Sequence, residues 1–134
     1  MVAVTRVYHF SAAHRLENPA LSPAANAALY GPCHRLHGHN YYLEVTVAGR
    51  PDPLTGMAVD LGRLDSTVQA AILEQVDHHR LEEAPALAGV VTTGESLARA
   101  FWRALVTALP GAGLRQVTVV ETAKNRFDYR GEES

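Results

Sequence analysis

The sequence predicts an α+β fold with a largely antiparallel sheet covered on one face by helices. Two observations carry this. Segments of alternating or β-branched residues lie towards both ends of the chain, and two stretches with helical periodicity lie together between them. A length of 134 residues, 47% apolar and 19% charged, suits one domain (1–134) with its own core.

Met1 to Phe10 alternates loosely and is rich in Val, Thr and Tyr, which predicts the first strand. Glu17 to Pro32 holds Pro19, Pro23 and Pro32 with Asn18 and Asn26, a loop whose alanine-rich middle has room for one short helical turn. Gly38 to Gly49 predicts a second strand, with Leu43, Val45 and Val47 on one face and Glu44 and Thr46 on the other. Arg50 to Gly56 carries Pro-Asp-Pro and Thr-Gly turn signals, after which Met57 to Asp60 is expected to return as a third strand of a hairpin.

Leu61, Leu64, Val68, Ile72 and Val76 recur at helical spacing, so a helix is expected from Leu61 to Val76 with Asp60 as its cap. A second helix starts near Thr92, where Thr92 and Glu95 have capping-box spacing. Leu97, Phe101, Leu105 and Ala108 form its apolar stripe, and Pro110-Gly111 ends it. Gln116 to Thr122 is strongly β-branched and predicts a strand, with a short last one over Phe127 to Tyr129.

The net charge of −2 argues against bulk attraction to nucleic acid or to an anionic membrane surface. Every basic residue except Lys124 is arginine. A lone cysteine cannot form an internal disulfide, and the N-terminus lacks a basic segment followed by an apolar signal core. No apolar run approaches the ~18 residues needed to span a bilayer. The expectation is a cytoplasmic protein with no membrane or nucleic-acid partner.

The densest chemistry lies in Cys33-His34-Arg35-Leu36-His37-Gly38-His39-Asn40-Tyr41. Two histidines at i and i+2 point to the same side of a strand, so two imidazoles can converge on one ion. His14, near the end of the first strand, is the best third ligand; His9 and His34 are ordinary surface or core candidates. Three neutral imidazoles leave an open position on zinc, the pattern of a catalytic site. Cys33 has two readings, an inert small residue or a thiol whose pKa is depressed beside a cation. Asp77-His78-His79 follows the first long helix, where a histidine can simply complement the helix dipole or can be oriented by Asp77 for proton transfer. Glu121 interrupts an apolar strand and suits a planar ligand edge bearing two N–H groups, unless it reaches solvent or an arginine.

These residues together resemble the 6-pyruvoyltetrahydropterin synthase and 6-carboxytetrahydropterin synthase family. The resemblance rests on Phe10-Ser11-Ala12-Ala13-His14-Arg15-Leu16, Cys33 to Tyr41, Asp52-Pro53 with Thr55-Gly56-Met57, Leu64, Asp77-His78, Thr93 with Glu95, Val120-Glu121-Thr122 and Tyr129-Arg130-Gly131-Glu132, in order over nearly the whole chain. It implies a T-fold: a four-stranded antiparallel sheet with two helices on one face, assembling into a barrel of trimers stacked as hexamers, with sites where subunits meet. It further implies Zn2+ on His14, His37 and His39, Cys33 as proton acceptor beside an Asp77–His78 pair, and Glu121 as anchor of a pterin ring and a member of the proton relay, with Thr93 and Glu95 also contacting substrate. The substrate implied is 7,8-dihydroneopterin triphosphate, with Arg15, Arg126 and Arg130 as candidates to meet its triphosphate. Gly94 stands where many relatives place Thr or Ser.

Three residues separate Cys33 from His37, a spacing that resembles the 6-carboxytetrahydropterin synthases of the queuosine precursor pathway; a longer gap is usual in 6-pyruvoyl enzymes. The expectation is therefore a lyase making 6-carboxytetrahydropterin, acetaldehyde and triphosphate. The alternatives are triphosphate elimination to a 6-pyruvoyl product and a non-catalytic pterin- or metal-binding protein on the same fold.

Overall fold

Two long strands carry the architecture. In a computed structural model, which describes residues 1–111 and 113–132, β1 (Val2–His14) and β2 (His37–Gly49) pair antiparallel along their full length. The register sets Phe10 opposite Tyr41 and His14 opposite His37. Alternation decides what β2 buries: Tyr41, Leu43, Val45 and Val47 face inward, while Tyr42 and Thr46 between them are less buried. The strand extends further than Phe10 because Ser11, Ala12 and Ala13 are small and continue the ladder up to His14.

Between these strands, Ser22 caps α1 (Pro23–Tyr30) by accepting from the Ala25 N–H, with Pro23 in the first helical turn where its missing N–H costs nothing. A 3₁₀ turn (Gly31–His34) then delivers the chain into β2.

The strand expected over Met57 to Asp60 does not form. Pro51 and Pro53 have no N–H to give a ladder, and the Asp52 carboxylate instead takes the N–H groups of Leu54 and Thr55. The segment crosses so near β2 that a Cβ on Gly49 would collide with the Ala58 carbonyl.

Asp60 caps α2 (Leu61–Val68) through the Arg63 N–H. The helix then widens into a π-helical turn (Gln69–Leu73) before a last α turn, α3 (Glu74–Val76). Gln75 braces this region, donating to the Ala71 carbonyl at 3.2 Å and accepting from the Ala86 N–H at 3.2 Å. A two-residue strand, β3 (His79–Arg80), lies parallel to β1 at Ala12 and Ala13.

The cap of α4 (Gly94–Ala108) is Thr93, not Thr92; its hydroxyl accepts from the Ser96 N–H. Gly94 is required by packing, because a Cβ there would lie inside the Phe127 ring. β4 (Leu114–Thr122) pairs with β2, and β5 (Asn125–Tyr129) completes a terminal hairpin.

The sheet is thus five-stranded and mixed, in order β3-β1-β2-β4-β5, where four antiparallel strands were expected. Its inner face packs Phe10, Leu43, Val45, Val117 and Val119 against Leu64, Val68 and Ile72 of the first long helix and Leu97, Phe101 and Leu105 of α4. Phe10 stacks on Tyr41 with centroids 4.7 Å apart and meets Phe101 edge-on at 6.0 Å. This aromatic layer closes the core directly beneath the histidines.

Candidate functional site

The β1–β2 register places the three histidines. His14 ends β1, His37 lies opposite it, and His39 is one same-side step further along β2. Their ring centroids are 4.6, 5.2 and 4.9 Å apart, and one nitrogen from each falls within 4.8 Å of the others.

Two of the rings are held by one nitrogen each. His14 Nδ1 lies 3.0 Å from the Thr92 carbonyl and 3.1 Å from its hydroxyl. A carbonyl only accepts, so Nδ1 carries the proton and Nε2 keeps its lone pair. His37 Nδ1 is 2.6 Å from the Arg35 carbonyl, which fixes the same tautomer. His39 Nε2 is buried with no hydrogen-bond partner. Such an orphan calls for an explanation, and an ion held by three imidazoles supplies one.

The electrostatics agree. Burial, then the neighbouring His37 and His39, push His14 down to about 4, and burial lowers His39 against the opposing pull of Glu121. Neutral imidazoles with free lone pairs are the donor set a divalent transition metal needs. The residues therefore fit a metal.

Glu121, at the end of β4, brings a carboxylate oxygen to 4.0 Å from His39 Nε2, with its side chain 18% exposed. No arginine pairs with it among the described residues; Arg126 pairs with Glu44 instead, at 2.8 Å, and Arg15 with Glu17 at 3.1 Å. Tyr41 lies under the cluster, fully buried, with its hydroxyl 3.4 Å from His14 Nε2.

Asp77 and His78 are joined as expected: Asp77 Oδ1 lies 2.9 Å from His78 Nδ1 and accepts from the Ser11 N–H at 3.0 Å. That backbone N–H is the main reason Asp77 is held below the usual carboxylate range. His78 adopts φ 63°, left-handed and strained for a residue with a Cβ, and its N–H is tied to the Ser11 carbonyl at 2.7 Å. Its ring is 83% exposed.

Cys33 sits exposed in the 3₁₀ turn, where its carbonyl accepts from the Leu16 N–H at 2.8 Å. Within one chain no hydrogen bond joins its thiol to Asp77 or His78 among the described residues. Thr93 is occupied in capping α4, and Glu95 in the first turn is exposed.

Two residues escaped the sequence analysis. Tyr41 could have been found, since it continues the same-side series His37, His39, Tyr41. Thr92 could not; it is 78 positions from the histidine it holds.

The family model for 6-pyruvoyl tetrahydropterin synthase matches residues 3–132, and the chain belongs to that family. It is 42% identical to the 6-pyruvoyl tetrahydrobiopterin synthases of Poecilia reticulata and Homo sapiens, over 96% of this chain and 90% and 91% of theirs. The fold matches the structure of Caenorhabditis elegans 6-pyruvoyl tetrahydropterin synthase with a TM-score of 0.91 at 37% identity, covering 98% of this chain and 96% of that one.

These relatives overturn the expected 6-carboxytetrahydropterin synthase of queuosine synthesis, since they are named for the 6-pyruvoyl activity. The expectation rested on counting residues between Cys33 and His37. The 3₁₀ turn and its bond to Leu16 set where the thiol sits, so the count along the chain does not fix which substrate carbon it faces.

Proposed function

We propose that the chain is a zinc-dependent lyase that eliminates triphosphate from 7,8-dihydroneopterin triphosphate to give a 6-pyruvoyl-tetrahydropterin. The observation that carries this is the histidine cluster with Glu121 beside it, in a chain whose 42%-identical relatives bear that name. His14, His37 and His39 hold the zinc, which when bound acts as a Lewis acid towards side-chain oxygens. Glu121 accepts the paired N–H groups of the pterin edge, with Thr93 and Glu95 flanking the ring. Cys33 takes a proton from side-chain carbon, and Asp77 holds His78 to return one. Thiolate and imidazolium are the forms this exchange requires.

The thiol and the Asp77–His78 pair are assigned to different copies of the chain. Among the described residues, support comes from their lack of a hydrogen bond within one chain and from the open edge of β1, which is paired on its outer side only at Ala12 and Ala13. A homo-oligomer, trimeric or hexameric, closing edge to edge into a barrel brings them together.

Incubation with 7,8-dihydroneopterin triphosphate tests the reaction: triphosphate and a 6-pyruvoyl product are expected, and a protein that binds the pterin without releasing triphosphate overturns it. Mixing tests the assembly. Inactive Cys33→Ala and inactive His78→Ala proteins, dissociated and reassembled together, should recover part of the activity; no recovery counts against a shared site.

A further inference from the structure

The hydroxyl of Tyr41 is the one polar group of the aromatic layer beneath the histidines. The residue is fully buried, and its ring is fixed by stacking on Phe10. Its only hydrogen-bond partner among the described residues is His14 Nε2, at 3.4 Å. His14 carries its proton on Nδ1 and donates it in a hydrogen bond to Thr92, so Nε2 holds one lone pair and no hydrogen. The hydroxyl is therefore the donor in this contact.

That lone pair is also the atom His14 would present to an ion. A single lone pair cannot serve a tyrosine O–H and a metal together. We propose that Tyr41 is a latch on the metal site: its hydroxyl and an ion compete for the one lone pair on His14 Nε2, so the hydroxyl must let go for the ion to bind. The length of the contact suits this, since a hydrogen bond at 3.4 Å is easily broken yet spares the buried nitrogen from standing unpaired. His39 Nε2 has no such hydrogen bond, so the competition falls on His14.

The inference rests on the metal assignment proposed above, and its test separates the two. Metal-free parent and Tyr41→Phe proteins are titrated with zinc against a competing chromophoric chelator. Tyr41→Phe should bind zinc about two- to fivefold more tightly, the low end for loss of a competing hydrogen bond this long. It should also melt below the parent when metal-free, with the gap closing once both are loaded. Equal or weaker zinc affinity overturns the latch alone, while a parent that takes up no zinc overturns both claims. Should Tyr41→Phe fail to fold, the near-ultraviolet tyrosine difference spectrum of the parent decides. Zinc should perturb it, a His14→Ala protein should show no perturbation, and a silent parent spectrum overturns the latch.

Discussion

His14 is the histidine with most to lose from a proton. Its pKa is lowered to about 4 from an ordinary value of 6.5, chiefly by burial. Unfolded chains accept a proton there near pH 6.5, whereas the folded chain resists it. The contribution to stability is therefore full above about pH 6.5 and is lost as pH falls towards 4. Thermal midpoints of the metal-free protein should drop across that window, and a His14→Leu protein should follow a flatter curve. Cys33 separates differently: Cys33→Ala should retain zinc by metal analysis and lose turnover, because the thiol lies outside the histidine cluster. Loss of zinc from that protein would make the thiol a ligand. Removing the Thr92 hydroxyl as Thr92→Val leaves the carbonyl in place, so zinc affinity should fall less than for a full loss of support, by under about tenfold.

At the scale of elements, α4 and the terminal hairpin are locked at one point. Gly→Ala within an exposed helix ordinarily stabilises by about 1 kcal/mol. At Gly94 the sign reverses, because the new Cβ meets the face of Phe127. Gly94→Ala should cost about 1–3 kcal/mol by denaturant unfolding. Adding Phe127→Leu should recover part of that, and additive losses in the double variant would show that the two do not touch. The π-helical turn is a second device of this kind. It adds a residue to the turn before Asp77, and Gln75 ties the widened backbone to the Ala86 loop, so that Asp77 emerges facing the Ser11 N–H.

Over the whole molecule, an ion on His14, His37 and His39 would tie the ends of β1 and β2 and, through Thr92, the start of α4. Chelation should therefore lower the thermal midpoint of the purified protein, and adding zinc back should restore it in a concentration-dependent way. No shift on either treatment would mean that the histidines hold no metal in the folded chain. No helix is long and apolar enough to cross a membrane among the described residues.

The long elements were legible because their periodicity is strong. Leu43, Val45 and Val47 alternate through β2, and Leu64, Val68 and Ile72 repeat on the first long helix. The histidine set was legible too, through spacing and through resemblance. The failures were local contests that periodicity does not register. Met57 to Asp60 looked like a strand until Asp52 took the neighbouring N–H groups, and Thr92 looked like a cap until Thr93 took that place and left Thr92 free for His14. Periodicity and residue type along the chain suffice for the α+β class, the core faces and the residue types of the candidate site. Tertiary packing alone sets which nitrogen of His14 stays free, that Tyr41 reaches it, and that no hydrogen bond joins Cys33 to Asp77 or His78 among the described residues. Those depend on contacts between residues far apart in the chain, whose geometry is fixed by packing and not by neighbouring residues.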